Sequence, residues 1–115
     1  MAADCIFCRI IAGEVPSDIV FQDDTLVAFR DVNPIAPTHV LVVPRQHIES
    51  VNDLTSSDED LLGHMVAVAK GVATRDGVSE SGYRLVINCG PDGGQAVGHL
   101  HLHVIGGRKL DERLG

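Results

Sequence analysis

Three histidines separated by single leucines, in the stretch HLHLH over residues 99–103, are the part of this sequence best suited to chemistry. Strand side chains alternate between two faces, so a strand here would put the imidazoles on one face and the apolar residues on the other. The imidazoles are those of His99, His101 and His103, and the apolar residues are Leu100, Leu102 and Val104. Imidazole transfers protons near neutral pH, binds metals and acts as a nucleophile. The pattern favours a metal site or a catalytic site over a solvent-facing strand, which usually carries Thr, Lys or Glu.

A glycine-rich segment, GPDGGQAVG over residues 90–98, leads directly into the histidines. Glycines let backbone N–H groups approach a ligand closely, which is how proteins commonly hold phosphate oxygens. The segment lacks the Gly-Lys-Ser/Thr ending of the Walker loop, and a plain turn is the alternative interpretation. Beside three imidazoles, it favours a loop that binds an anion.

The composition limits the classes of function. The chain has 115 residues, 44% of them hydrophobic and 22% charged, which fits one globular domain over residues 1–115. A net charge of −7 and an aromatic content of 3% disfavour nucleic-acid binding, which needs cations or stacking rings. The sequence shows neither a signal-peptide pattern nor an apolar run near the ~20 residues that span a bilayer, so we expect a cytoplasmic protein without a membrane partner.

The elements that must position these residues form, by their pattern, an α+β domain with an antiparallel sheet of about five strands. The expected strands cover residues 19–21, 25–29, 38–43, 83–89 and 99–103. Asp23-Asp24 is a turn signal between the first two strands, and short connections favour antiparallel neighbours. In the third strand, His39 shares a face with Leu41 and Val43.

Two helices complete the prediction. Residues 5–12 are expected to form a short helix or turn. A long helix is expected from about residue 57 to residue 75, with Ser56 and Glu59 as its capping box. Its apolar stripe, which would pack on the sheet, consists of Leu61, Met65, Val68, Ala69, Val72 and Ala73. His64 lies off the centre of this stripe and is interpreted as a surface residue.

The segment GGQAVGHLHLHV over residues 93–104 resembles the signature of the histidine triad (HIT) superfamily, in which histidines alternate with apolar residues. The resemblance covers nearly the whole chain, through CIFCRIIAGEVPS, DVNPIAPTHVLVVPRQHI, LLGHM and YRLVINCGPDGGQ, and is to the Hint branch of nucleotide-binding phosphoramidases. It implies a HIT-like fold, a homodimer, and a hydrolase that takes a purine nucleotide or nucleoside phosphoramidate. In such a dimer, two sheets would join edge to edge with the long helices at the interface.

The resemblance also implies roles for individual residues. His101 matches the nucleophile, which attacks the α-phosphate of a nucleoside 5′-phosphoramidate and forms a nucleotidyl-histidine that water then cleaves. His103 and His39 match positions beside the phosphate, where they would stabilise its developing charge. Asp31 matches an acidic residue on the ribose hydroxyls, or alternatively caps its own turn. The ribose and phosphate positions are Asn88, Gly94, Gln95, Ala96 and Val97, and the expected walls of the base pocket are Phe7, Ile10, Phe29, Val32 and Leu41, of which Phe29 and Leu41 could also be ordinary core.

Two departures from the animal Hint proteins affect the expected activity. Ala96 stands where those relatives carry a serine that donates to the phosphate or leaving group. Losing one neutral hydrogen bond costs about 0.5–1.5 kcal/mol, or about tenfold in rate, which slows an enzyme without disabling it. The tail after Arg108 lacks their aromatic ending, so substrate preference does not carry over with it.

Cys5 and Cys8 form a Cys-x-x-Cys pair, a spacing that suits zinc, although two thiolates do not complete a tetrahedral site. The resemblance to bacterial relatives and to galactose-1-phosphate uridylyltransferases implies that His47 and His99 complete it and hold one structural Zn²⁺ per chain. The alternative is a pair of buried reduced thiols. Cys89 is interpreted as a small buried strand residue.

Two other functions stay open at this stage. One is a nucleotide-binding regulatory module with weak or vestigial catalysis, which Ala96 favours and an intact His101 disfavours. The other is a metallohydrolase with zinc on all three triad histidines, whose activity would be lost in chelator and return with metal.

Overall fold

The structure, a computed structural model, describes residues 4–114, and within them an antiparallel sheet of five strands is packed against two α-helices. In chain order the elements are α1 (Ile6–Ile11), β1 (Ile19–Gln22), β2 (Leu26–Arg30), β3 (Thr38–Pro44), α2 (Glu59–Arg75), β4 (Tyr83–Val86) and β5 (Leu102–Gly106). The strand order is β1-β2-β3-β5-β4, and each neighbouring pair is antiparallel. The predicted α+β class and strand number are confirmed. The expected domain also includes residues 1–3 and 115, which lie outside the described residues.

The two faces of the sheet bury different clusters, as the alternation of side chains requires. Every residue of β3 is buried, so this strand forms the middle of the domain. One face packs against α2, and its cluster includes Val40, Val42, Leu100, Leu102, Val104, Met65, Val68 and Val72. The other face packs against α1, and its cluster includes Phe7, Cys8, Ile10, Val27, Phe29, Leu41 and Val43. The histidines therefore lie on the α1 side.

The start of α2 differs from the prediction. The capping box is formed by Thr55 and Asp58, one residue before the expected pair Ser56 and Glu59. The side chain of Asp58 accepts from the Thr55 backbone N–H at 2.9 Å, while the Thr55 hydroxyl accepts from the Ser57 N–H at 3.3 Å. The box closes a 3₁₀ turn over Ser56–Asp58, so the α-helix itself begins at Glu59. Ser56 with Glu59 matches the usual capping-box pattern, and Thr55 with Asp58 offers the same chemistry through a shorter acid, which is the pair that forms here.

The last two strands are also shorter at one end than predicted. β4 ends at Val86, where its pairing with His103 ends, so Cys89 lies in the following loop and is only partly buried. β5 begins at Leu102, and the expected strand over residues 99–103 is wrong for its first three residues. The antiparallel register places Leu100 opposite Pro44, which has no N–H to donate, and β4 does not reach that far. The alternation still holds, because Leu100 and Leu102 both lie in the cluster under α2.

A partly buried ion pair fixes the C-terminal end of α2 to the sheet. Arg30 of β2 donates two hydrogen bonds to the Asp76 carboxylate at 2.9 and 3.0 Å, and the Thr38 hydroxyl donates a third at 2.9 Å. Among residues 4–114, no helix has both the length and the apolar character needed to cross a membrane.

Candidate active site and metal cage

An apolar cavity of about 490 Å³ opens on the α1 side of the sheet, within the size range of small-molecule sites. Most of its lining residues were predicted as site residues, among them all five expected base-pocket residues and two of the histidines. The predicted residues that line it are Phe7, Ile10, Phe29, Asp31, Val32, Leu41, Ala96, Val97, His101 and His103. The remaining lining residues come from the start of α1, the loop between α1 and β1, and the end of β2 with the segment after it, and the sequence did not single them out for the cavity: Ile6, Val15, Pro16, Ser17, Arg30 and Asn33.

The His101 side chain is held in one tautomer by the backbone. Its Nδ1–H donates to the His99 carbonyl oxygen at 2.7 Å, so Nε2 is the nitrogen with a lone pair. The ring is buried, and the Phe7 ring meets it edge to face with centroids 5.1 Å apart. The His99 carbonyl and the Phe7 ring thus orient an imidazole that lines the cavity with an unprotonated nitrogen.

His103 is held by a second histidine that does not line the cavity. The Ile35 N–H donates to His39 Nδ1 at 3.2 Å, which leaves the proton of a neutral His39 on Nε2. That Nε2 lies 2.9 Å from His103 Nδ1 and 3.4 Å from Asp31 Oδ2. When Nε2–H donates to His103, the proton of His103 lies on its own Nε2, as a donor for the cavity. His39 therefore contacts His103 from outside the lining of the cavity, and its expected place beside a phosphate stays a prediction.

Both of these histidines favour the neutral form. Burial, together with the nearby His101 and His39, lowers the pKa of His103 to about 4, while Asp31 opposes the shift. Burial also lowers the pKa of His39, again against the Asp31 carboxylate. Asp31 serves its own turn as well, because its Oδ1 accepts the Asn33 N–H at 2.9 Å.

The glycine-rich loop is fixed by two amide side chains. Gln95 Oε1 accepts the Gly90 N–H, and its Nε2 donates to the carbonyls of Glu49 and Val97. Asn88 Nδ2 donates to the Gly93 carbonyl at 2.7 Å, and a Cβ on Gly93 would overlap the Cys89 carbonyl. The predicted residues Asn88, Gly94 and Gln95 shape this loop without lining the apolar cavity, which the loop meets at Ala96 and Val97.

The predicted metal ligands lie together beside the cavity. One ligand atom from each of Cys5, Cys8, His47 and His99 lies within 4.8 Å of all the others, so this group could hold a metal ion. Cys5 Sγ and Cys8 Sγ lie 3.4 and 3.6 Å from His99 Nδ1, and Cys8 Sγ lies 3.3 Å from His47 Nδ1. A tetrahedral zinc ion spaces its sulfur and nitrogen ligands by about 3.6 Å, so the residues fit it.

The tautomer of His99 leaves it able to act as a metal ligand together with the two thiols. Its Nε2–H donates to the Pro44 carbonyl at 2.8 Å, which leaves Nδ1 with a lone pair on the side of the two thiols. A backbone carbonyl on the far nitrogen of a ligating imidazole is the usual arrangement in metal sites. The metallohydrolase alternative is not supported within the described residues. His99 lies with the two thiols and His47, His103 lies with Asp31 and His39, and His101 belongs to neither of these groups of possible metal ligands.

One predicted side role has a clear outcome. His64 is a surface residue, as expected, and its Nε2 lies 2.7 Å from Asp23 Oδ2 in the turn between β1 and β2. The hydrogen bonds from Ile35 N–H and to Pro44 O were not predicted, since no side-chain pattern marks a backbone group. Pro37, just before β3, and Pro44, at its end, each restrict the backbone φ, which is compatible with these two hydrogen bonds.

Comparisons with known proteins agree with this geometry. A sequence model described as HIT domain matches residues 12–110. The chain is 49% identical over 114 residues to a purine nucleoside phosphoramidase of Escherichia coli (strain K12), and the match covers 99% of this chain and 96% of that protein.

Solved structures of related proteins have the same fold. A histidine triad protein from Clostridium difficile has a TM-score of 0.94 at 44% identity, over 98% of both chains. A HIT family hydrolase from Legionella pneumophila Philadelphia 1 has a TM-score of 0.95 at 46% identity, over 97% of this chain and 100% of that one. A zinc-bound histidine triad family protein from Mycobacterium smegmatis has a TM-score of 0.82 at 28% identity, over 95% of this chain and 78% of that one. Since the family match spans most of its length, this chain belongs to the HIT domain family.

Proposed function

We propose that this HIT-family hydrolase cleaves the P–N bond of nucleoside 5′-phosphoramidates through a nucleotidyl intermediate on His101. The observation that carries the proposal is the hydrogen bond from His101 Nδ1–H to the His99 carbonyl, at 2.7 Å. It leaves Nε2 unprotonated on a ring that lines a nucleoside-sized cavity, as a nucleophile requires. The likeness to a protein named purine nucleoside phosphoramidase supports this substrate class.

In the first step, His101 Nε2 attacks the α-phosphorus, the P–N bond breaks, and the amine leaves with a proton taken from solvent. In the second step, water attacks the phosphorus, the P–N bond to His101 breaks, and the nucleoside monophosphate is released. His103 donates its Nε2–H to a phosphate oxygen in both steps, and His39 supports it from behind by fixing its tautomer. The two displacements divide one difficult substitution into two easier ones.

The cavity supports a definite placement of the nucleoside. The apolar walls take the purine, and Asp31 Oδ2 takes the ribose hydroxyls at the same end of the cavity. The base-binding residues we propose are Phe7, Ile10, Phe29, Val32 and Leu41. Backbone groups at Gly94, Gln95, Ala96 and Val97 take the phosphate, while the side chains of Asn88 and Gln95 hold the loop in shape.

The test is turnover of a fluorogenic adenosine 5′-phosphoramidate by the wild-type chain and by His101→Asn. We expect the variant to lose nearly all activity while it still binds AMP. Rapid quenching and mass spectrometry should locate an adenylyl group on His101, and an adduct on another residue would overturn the assignment. Equal inactivity of both proteins with intact AMP binding would instead support the regulatory module that Ala96 favours.

We further propose that Cys5, Cys8, His47 and His99 hold one structural Zn²⁺ per chain. The ligand spacing, the free lone pair of His99 Nδ1 and the zinc-bound relative support this proposal. Elemental analysis of protein purified without a histidine tag measures it directly. A clear shortfall from one zinc per chain would reject the site.

The assembly is a homodimer of two single domains, each formed by residues 1–115, that acts in the cytoplasm. β4 is an edge strand with half-buried residues throughout, and Val66 on α2 is 48% exposed. Pairing of two β4 edges, with the α2 helices alongside, would cover both features. Sedimentation analysis that finds only monomers at micromolar concentration would contradict this arrangement.

A further inference from the structure

The tautomer of His103 depends on a backbone group at the far end of a chain of hydrogen bonds. His103 can offer its Nε2–H to a phosphate only while its Nδ1 accepts from His39 Nε2, at 2.9 Å. His39 can donate there only while its own Nδ1 accepts the Ile35 N–H, at 3.2 Å. The peptide between Pro34 and Ile35, which carries this N–H, therefore helps to decide which proton the active site presents, together with Asp31 Oδ2, which lies 3.4 Å from His39 Nε2.

The next peptide along the chain, between Ile35 and Ala36, is anchored by an arginine outside the cavity. Arg108 Nε donates to the Ile35 carbonyl at 2.8 Å, and its Nη1 donates to the Lys109 carbonyl at 3.0 Å. We propose that Arg108 is a positioning residue for the reaction. By holding the Ile35 carbonyl, it restricts the backbone around the Ile35 Cα, so that the Ile35 N–H on the other side of this Cα stays on His39 and both His39 and His103 keep their tautomers. This inference rests on the proposed function for its effect on rate.

The need for an anchor follows from the exposure of the segment between β2 and β3. Ile35 is 55% exposed, and it lies between Pro34 and Pro37, which cannot donate hydrogen bonds to hold the segment. Without the Arg108 contact, an exposed peptide of this kind would exchange readily among orientations.

The path of the chain after β5 brings Arg108 to this segment. Gly107 has a φ of +94°, a conformation that suits glycine, and it turns the chain back toward the β2–β3 segment. A Cβ on Gly107 would lie 2.9 Å from the Cβ of Pro37, so the two segments are already in close contact. The contact of Gly107 with Pro37 is independent of the arginine and supports the same placement.

Arg108 is separate from the substrate cavity itself. It lines a surface groove of about 240 Å³ with Tyr83, Arg84 and Lys109, and that groove shares no lining residue with the apolar cavity. A change of Arg108 should therefore act on the chemical step through the histidines and leave nucleotide binding nearly unchanged.

The experiment compares wild type with Arg108→Gln, and uses Lys109→Gln as the matched control. The control removes the same charge from the next residue, whose side chain is also exposed. Proteins labelled with ¹⁵N-histidine report the tautomer of each imidazole by NMR, and turnover of the adenosine phosphoramidate reports kcat and KM.

In wild type we expect both His39 and His103 as Nε2–H tautomers. In Arg108→Gln, the Nδ1–H form of His39 becomes populated, the resonances of His103 move, and kcat falls by about threefold to tenfold with KM within about twofold, as expected for loss of one hydrogen bond. Lys109→Gln matches wild type in both measurements.

Unchanged tautomers in Arg108→Gln would overturn the proposal, and so would a fall in kcat that Lys109→Gln shares. A shift of tautomers without any change in kcat would overturn the role in the reaction. If wild type does not hydrolyse the phosphoramidate at all, the proposed function fails, while the NMR comparison still decides whether Arg108 fixes the two imidazoles.

Discussion

At the scale of single residues, Ala96 is the position where a small change should matter most. It lines the cavity beside Val97 and His101, but its methyl group cannot donate a hydrogen bond. We expect Ala96→Ser to raise kcat/KM by up to about tenfold, because a hydroxyl there can donate to the phosphate or the leaving group. Steady-state turnover measures the gain, with Ala96→Cys as a control of similar size and weak donor strength. Equal rates for both variants would show that the hydroxyl is not used.

The lowered pKa of His103 predicts how the stability of the protein changes with pH. Its folded-state pKa is about 4, below the unfolded value of about 6.5, so the unfolded chain takes up a proton first as the pH falls. The stability that neutral His103 contributes is present above pH ~6.5 and is lost as the pH falls toward 4. An NMR titration of the His103 ring should give the midpoint, and a value at or above 6.5 would contradict the role of burial. Wild type should also lose stability relative to His103→Gln over the same interval.

The residue types and their spacing predicted which side chains meet, because alternation along β3 and β5 places them on one face. They did not predict the protonation of each ring. His99, His101 and His39 each receive their tautomer from a backbone group, namely Pro44 O, His99 O and Ile35 N–H. Those groups are identical in every residue type except proline, so only the folded path of the backbone identifies them.

At the scale of elements, the end of α2 depends on one carboxylate. Asp76 has a side chain 11% exposed and accepts from Arg30 and Thr38, so its loss leaves a half-buried guanidinium without its partner. We expect Asp76→Asn to lower the free energy of unfolding by about 1–3 kcal/mol in urea titrations. Asp18→Asn is the matched control, since Asp18 also faces Arg30, at 3.7 Å, but is 73% exposed. Its cost should be below about 0.5 kcal/mol, and equal costs would contradict the assignment.

The Asp76 carboxylate also makes the free energy of unfolding depend on pH. Hydrogen bonds from Arg30 hold the pKa of Asp76 below its ordinary value, against the effect of burial. Its contribution to stability is therefore present above the unfolded pKa of about 3.9 and is lost as the pH falls through the lower folded value. The difference between wild type and Asp76→Asn should shrink in that interval.

The shape of the glycine-rich loop should depend on the side chain of Gln95 more than on any charged side chain in the loop. Gln95→Ala removes three hydrogen bonds that join Gly90, Glu49 and Val97. We expect faster hydrogen exchange over residues 90–98 and weaker AMP binding, because the backbone donors no longer hold one shape. Asp92→Asn, at an exposed position of the same loop, is the control. Unchanged hydrogen exchange over residues 90–98 in Gln95→Ala would contradict the role of Gln95 in holding the loop.

Element boundaries show where sequence patterns stop being sufficient. The apolar stripe of α2 was predictable because it repeats over the length of the helix. Its first residue was not, because Thr55 with Asp58 and Ser56 with Glu59 offer the same chemistry one residue apart. The early part of the triad segment was predicted as strand, but Pro44 across the register and the short β4 end the pairing at Leu102.

At the scale of the whole molecule, the four possible metal ligands and the cavity share the same structural parts. We call these ligands the cage: Cys5, Cys8, His47 and His99. Cys5 caps α1 through its Sγ, which accepts the Cys8 N–H at 3.4 Å, so the cage closes the first turn of the helix. Phe7, between the two cysteines, contacts both the His99 and His101 rings. His99 itself offers Nδ1 to the cage and its carbonyl to His101. We therefore expect order in the cage to extend to His101.

Removal of the proposed zinc ion tests this coupling. Dialysis against a chelator should lower the Tm by about 10 °C or more, because about 2 kcal/mol or more of binding free energy is lost from the folded state. Hydrogen exchange should accelerate first in α1, and the His101 ring resonances should broaden as Phe7 loosens. Zn²⁺ should restore both, and Cys89→Ser, a cysteine outside the cage, should behave like wild type throughout. Exchange in α1 that does not respond to the chelator would mean that the thiols act only as buried core, and that α1 positions His101 through Phe7 alone.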